Sequence, residues 1–194
     1  MDWLDEKVPI EWLAQFLQVA LDCKNLDWLL LTKRPELFRK RIYEVSLTGG
    51  INPIEASLAH WGEGYTLRDT CKDWLETEKS PAHFWYGVSA EDQLRYDQRK
   101  PHLLATPAEI RWWSIEPLLS PIDLGDLTGI SWIVVGAESG FGYRDCGVDA
   151  IVDIVKQCQN QNVPCYVKQD AAFKSGSQGR IPNDIWSIKQ FPIV

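Results

Sequence analysis

Short apolar blocks recur along this chain, each ending in polar residues and followed by a segment whose apolar positions fall three and four apart. Ile10, Leu13, Leu17, Ala20 and Leu21 give residues 9–23 one apolar helical face, with Pro9 suited to the first turn. Residues 26–32 are largely apolar and too few for a typical helix, so they read as a buried strand that delivers Thr32, Lys33 and Arg34 at its end. Pro35 opens a second helix, with Leu37, Phe38, Ile42 and Val45 available to pack it on a sheet. The same pattern returns at residues 84–89, 110–115, 130–136 and 163–168, each a short block rich in β-branched and aromatic residues. A polar helix is expected from Ala90-Glu91-Asp92 to about Arg99. Pro101 should end it and begin a shorter one carrying Leu103 and Leu104. Val148, Ile151, Val152, Val155 and Cys158 mark a further amphipathic helix.

Two segments break the rhythm. Residues 46–81 contain Gly49, Gly50, Gly62 and Gly64 around two short amphipathic stretches, 54–61 and 67–75, and read as a helical insertion. Residues 171–194 are a loop-rich tail with one short helix expected between Pro182 and Lys189.

Strands alternating with helices imply parallel pairing, because parallel strands need crossover connections. No G-x-G-x-x-G loop follows the first strand, which favours a barrel arc over a doubly wound sheet. A complete (β/α)8 barrel takes about 250 residues. The expected fold is therefore α/β: an incomplete TIM-type (β/α) barrel with about five parallel strands and a helical insertion, residues 1–194 forming a single partial-barrel domain. Open sheet edges would be a liability unless short, covered by the insertion or paired with another chain.

In such folds the loops after the strands share one face, and ligands bind there. That rule gathers Lys33, Arg34, Ser89, Glu91, Glu116, Glu138, Ser139, Lys168 and Gln169 into one expected ligand-binding mouth. Glu116, Glu138 and Lys168 are the catalytic candidates. Glu138 with Ser139 fits a ribose or a substrate amine as well as it fits hydrogen bonding inside a tight turn. Glu116, just beyond a buried strand, is either paired or functional, with Lys33 or Lys168 the available partners. Lys33 and Arg34 suit a phosphate or carboxylate, and helix capping or surface charge accounts for Arg34 equally well. Nothing in the sequence assembles His60, His83 and His102 into a site.

Composition narrows the setting. With 194 residues, 45% hydrophobic and 24% charged, the chain is an ordinary globular one rather than a disordered or fibrous one. Most of its ten tryptophans are expected to fill core space, although aromatic rings also stack on bases and sugars. A net charge of -7, with no Lys/Arg run resembling a nucleic-acid patch beyond Lys33-Arg34 and Arg39-Lys40-Arg41, disfavours non-specific duplex DNA. No apolar run reaches a membrane span, and the acidic start is unlike a signal peptide, so a cytoplasmic location is expected. Cys23, Cys71, Cys146, Cys158 and Cys165 have no close metal-binding spacing and read as reduced thiols, mostly buried, with no metal site expected.

Five ordered motifs carry a resemblance. Leu26-Asp-Trp-Leu-Leu-Leu-Thr-Lys-Arg-Pro-Glu36, Gly87-Val-Ser89, Ser114-Ile-Glu-Pro-Leu-Leu119, Val134-Val-Gly-Ala-Glu-Ser-Gly140 and Val167-Lys-Gln169 resemble successive signatures of a phage-encoded "gp" family of unknown function. Its longer members are similar to distant radical-SAM proteins. They carry an N-terminal cysteine cluster before a partial barrel, which implies a [4Fe-4S] centre with one iron left for S-adenosylmethionine. The C-x3-C-x2-C spacing is missing here, and Met1-Asp-Trp-Leu-Asp resembles the middle of a longer member. The resemblance thus implies a truncated segment, or a short variant that kept the fold without the cluster. Neither cofactor is expected in this chain itself. The implied function is a phage-associated, radical-SAM-like barrel segment with a polar ligand-binding mouth and no Fe–S chemistry of its own. The alternative is a non-enzymatic accessory protein. Its partners would be a missing N-terminal half, a second copy, or a host or phage protein at an open sheet edge.

Overall fold

A computed structural model describes residues 2–48 and 67–192 of the chain. The stretch expected at 54–61, His60 and the glycines from Gly49 to Gly64 lie outside them. Five strands, β1 (Trp28–Thr32), β2 (Phe84–Ser89), β3 (Ile110–Ile115), β4 (Trp132–Gly136) and β5 (Cys165–Gln169), form one sheet in chain order. β3 with β4 and β4 with β5 pair in parallel, aligning Ser114 with Val134 and Val134 with Tyr166. The strand order follows the chain without a reversal. The expected α/β class with a five-stranded parallel sheet is the one observed. The helices are α1 (Ile10–Asp22), α2 (Phe38–Thr48), α3 (Leu67–Thr77), α4 (Gln93–Leu104), α5 (Val148–Asn160) and α6 (Asn183–Trp186), with a 3-10 turn at Pro35–Leu37 before α2. No helix among the described residues is long and apolar enough to cross a membrane.

The chain forms two compact units. The first comprises Met1–Tyr86 with Ala105–Glu109. Here α1 buries Leu13, Ala14, Leu17 and Ala20, and α3 buries Leu67, Cys71 and Trp74. Phe38 of α2 meets Trp74 and Tyr86 edge-on, with centroids 4.9 and 5.2 Å apart. Trp74 also donates its indole N–H to the Pro107 carbonyl, so a large ring is buried without an orphaned donor. β1 departs from the expected buried strand. Leu30 and Thr32 are 2% exposed, but Leu29 and Leu31 are 47% and 37% exposed and Leu26 is exposed as well. The reason is its position: a terminal strand of the sheet, it alternates one covered face with one open face, and apolarity alone does not reveal this.

The second unit comprises Gly87–Leu104 and Ile110–Val194. Trp113 of β3 faces α4, its ring 4.6 Å from that of Tyr96. Trp112 faces the other way, onto Trp132 of β4, which in turn stacks on Phe191. Gly87 makes this possible, because a Cβ there would sit 2.2 Å from Cε2 of Trp112. Of the nine tryptophans among the described residues, five fill core space as expected, Trp74, Trp85, Trp112, Trp113 and Trp132, whereas Trp12 is exposed.

Two further expectations are corrected here. Pro101 lies inside one continuous helix, α4, rather than between two. Its missing N–H removes one helical bond, and the turn beyond it is retained by fully buried Leu103 and by Lys100, whose ammonium donates to the Leu124 and Asp126 carbonyls. The last helix is only Asn183–Trp186. Beyond it residues 188–190 run beside β5: Val167 donates its N–H to Ile188, Gln190 donates to Cys165, and the Gln190 side-chain oxygen accepts from Cys165. The chain's own tail thereby covers the β5 edge.

Candidate functional site

Ser114, Val134 and Tyr166 lie abreast in the sheet. Beyond them an irregularity after Val135 sets Gly136 opposite Gln169, so that Glu116 just past β3 and Lys168 near the end of β5 flank Gly136 at the C-terminal end of β4. Lys168 Nζ lies 2.8 Å from Glu116 Oε2, so the pair reaches across the intervening strand. Gly136 leaves the room, since a Cβ there would come within 3.3 Å of Lys168 Cβ. Gln169 donates to the other carboxylate oxygen, Oε1, at 3.1 Å. The Glu116 side chain is mostly covered and that of Lys168 is nearly half exposed, which leaves the ammonium the mobile member of the pair. Gln169 is itself buried and fully committed. It also donates to the Ala137 carbonyl and accepts from Ser175 Oγ and the Gly176 N–H, fastening the following loop to the end of β5.

Glu138 stands two residues beyond β4, but it is bound to Arg144 and not to Lys168. The guanidinium donates to both carboxylate oxygens, at 2.8 and 2.6 Å, and the Arg144 backbone N–H adds a third bond. These contacts hold the Glu138 carboxyl at about 2, below the usual carboxylate range. A carboxylate held that low is a poor proton acceptor near neutral pH, so its chemistry is to anchor a loop or accept hydrogen bonds. Ser139 bridges to Ala172 in parallel, and Gly140 donates to the Ala172 carbonyl at 3.1 Å. The β4–β5 pairing is thereby carried past the strands into both loops.

A second clamp secures those loops. Arg180 holds Asp170 through Nε and a terminal nitrogen at 2.9 and 2.8 Å, and Asp145 through both terminal nitrogens at 2.7 and 2.8 Å. Asp170 is 1% exposed, and the guanidinium holds its carboxyl below the usual range. Asp145 is held at about 2 by the same cation and by the Gly147 N–H. Gly179 permits the close approach: its φ is +54°, and a Cβ would fall 2.5 Å from Asp170 Oδ2.

The remaining candidates have other settings. Ser89 is buried, and its carbonyl accepts from Arg99, whose guanidinium also pairs with Glu91 at 2.9 Å. Lys33 and Arg34 belong to the first unit. There Asp2 accepts from Thr32 Oγ1 and the Lys33 backbone N–H, and Asp5 pairs with Arg34 at 2.9 Å. The site expected from the sequence thus comes together in part, as Glu116 with Lys168 and Gln169, beside Glu138 and Ser139 on the next loop.

Sequence reasoning does not find Arg144, Asp145, Asp170 and Arg180. Asp170 directly follows the strand end and carries a positional signal. The two arginines lie within loops, where spacing says nothing about which carboxylate they meet. One other recess, of about 450 Å³, lies between residues 121–125 and α5 and shares no residue with the strand ends. Its glutamines are already occupied: Gln157 and Gln161 exchange hydrogen bonds with the backbone of residues 122–127.

Among the described residues no three His, Cys, Asp or Glu side chains converge as a metal ion requires. Cys71, Cys158 and Cys165 are buried in the packing of their elements, and burial pushes the Cys71 thiol up to about 12. Cys146 sits in the β4 loop, its thiol raised first by burial and then by the Asp145 charge. A cluster needs three thiolates on one side of a cavity, and the described cysteines do not fit one.

Residues 1–185 match the sequence model of a family described as "Protein of unknown function (DUF5131)", and the chain belongs to that family. Comparison with curated proteins finds no match, and comparison with solved structures finds none.

Proposed function

We propose that this member of a family of unknown function is the ligand-holding segment of a phage-associated, radical-SAM-like partial barrel, acting in the cytoplasm, whose strand ends bind a small nucleotide-like ligand bearing an ammonium and a carboxylate. The Glu116–Lys168 ion pair across Gly136 carries this reading. A zwitterionic ligand replaces each partner with its own opposite charge: Glu116 takes the ammonium and Lys168, the more exposed member, swings to the carboxylate. Glu138, kept ionised and oriented by Arg144, accepts from hydroxyls such as those of a ribose. The described cysteines offer no cluster ligands, and the part of this chain is to bind and orient the ligand.

The test is calorimetric titration with S-adenosylmethionine, adenosine and methionine as separate probes. The expected result is binding of S-adenosylmethionine that weakens at least about tenfold in Glu116→Gln and in Lys168→Met, as loss of a charge-assisted contact implies. Absence of binding by all three probes, or binding indifferent to both substitutions, overturns the reading. A second reading, an accessory protein that holds a host or phage partner, draws on the open apolar face of β1. Co-elution of the chain with a candidate phage protein, lost in Leu31→Lys, would support it over the first.

A further inference from the structure

β1 ends the sheet with Leu29 and Leu31 half exposed. Trp28 donates its N–H to the His83 carbonyl just before β2, so the backbone groups of Trp28, Leu30 and Thr32 point toward the sheet. Because these directions alternate along a strand, the N–H and C=O groups of Leu29 and Leu31 point outward. At either end of the strand stands one exposed charge, Asp27 before it and Lys33 in the bend after it, where Asp2 accepts from the Lys33 backbone N–H; neither the Asp27 nor the Lys33 side chain has a partner among the described residues. Set against its own reverse, the sequence Asp27-Trp-Leu-Leu-Leu-Thr-Lys33 places acid opposite base at the ends, Trp28 opposite Thr32, and leucine opposite leucine at the three central positions.

We propose that β1 is a self-pairing edge, on which a second copy of this chain adds antiparallel about a two-fold axis at Leu30. In that register Leu29 faces Leu31 of the second copy, and Leu31 faces its Leu29, as hydrogen-bonded pairs that exchange both backbone bonds. Leu30 faces Leu30 at the axis. Asp27 faces Lys33 of the second copy at both ends, so two opposite-charge cross-strand pairs close the contact. The neighbouring registers are poorer. Moving the axis to Leu29 sets Asp27 against a leucine, and moving it to Leu31 sets Lys33 against one. The charges therefore select both the occupant, a second copy with the same pair in reverse order, and the alignment. The contact involves the first unit alone and is independent of ligand binding at the β3–β5 ends.

The experiment is sedimentation velocity of the full chain over a concentration series, with circular dichroism to verify that each variant is folded. The wild-type chain is expected to show a monomer–dimer equilibrium. Asp27→Lys sets Lys against Lys at both ends and Lys33→Asp sets Asp against Asp, so each should weaken dimerisation about tenfold. An equimolar mixture of these two variants restores every opposite-charge pair, and the double variant D27K/K33D restores them within one sequence, so both should dimerise like the wild type. A wild-type chain that stays monomeric throughout overturns the proposal. So does a dimer indifferent to both single substitutions, or single variants whose mixture associates no better than either alone.

Discussion

Asp170 illustrates how much of this molecule is decided by single side chains that the sequence does not single out. Its carboxylate is buried, and Arg180 shields it on one side while holding Asp145 on the other. Arg180→Ala removes the guanidinium and leaves a buried acceptor with only backbone donors, which should cost about 1–3 kcal/mol in urea unfolding. The pH dependence follows from the depressed carboxyls. Asp145 and Glu138 sit at about 2 and Asp170 below its ordinary value, whereas unfolded they titrate near 4. Groups whose folded values are lowered give their full stabilisation above about pH 4 and lose it as pH falls toward 2. The wild-type chain should therefore lose stability through that window, and R180A should lose less of it, as acid titration followed by tryptophan fluorescence would show. At this scale the sequence is partly legible. Glu116, Lys168 and Gln169 are found because they close or directly follow strands, and strand ends share a face. Arg144 and Arg180 are not, because loop geometry selects their carboxylates and local periodicity carries no trace of it.

The elements themselves are more legible than their surroundings. Residues 84–89 and 110–115 are strands at the bounds expected from their apolar blocks, since a strand covered on both faces needs apolar residues at nearly every position. The same reasoning fails for β1, where an equally apolar block has one open face: composition reports what a strand tolerates, and its place in the sheet decides what covers it. Pro101 misleads in the opposite direction, because a local helix-breaking rule yields to burial of Leu103 one turn on. Gly87 combines the two levels. It is one position within a strand, yet it decides whether Trp112 can lie flat across β2, and Gly87→Ala should destabilise by about 1–3 kcal/mol through overpacking, measured by chemical denaturation. At the far edge, the tail along β5 makes a prediction of its own. The Cys165 and Val167 amides bond to Gln190 and Ile188, so both should exchange slowly with deuterium. Gln190→Ala removes the acceptor for Cys165 alone, and should raise its exchange rate several-fold while leaving Val167 nearly unchanged.

For the whole molecule, the contrast between the two ends of the sheet and the net charge act together. β5 is covered by the chain's own residues 188–190, and β1 is left with outward-pointing leucines. A net charge of -7 at pH 7 makes any two copies repel at long range. That repulsion works against an apolar edge of only five residues, so association at β1 should be weak at neutral pH and low salt. Lowering the pH toward the sequence pI of about 5.0 removes the excess negative charge. The dimer fraction in sedimentation runs should therefore rise from pH 7.5 to about pH 5.5. Moderate salt at pH 7.5 should have the same sign, since screening over a Debye length of about 10 Å relieves distant repulsion more than it weakens two contact pairs. Leu31→Lys separates this edge from general precipitation near the pI. It adds a charge where the leucines would meet, and it should hold the protein monomeric at both pH values while leaving its solubility minimum close to that of the wild type. If the variant and the wild type self-associate alike as the pH falls, the low-pH species is charge-neutral aggregation, and β1 has no part in it.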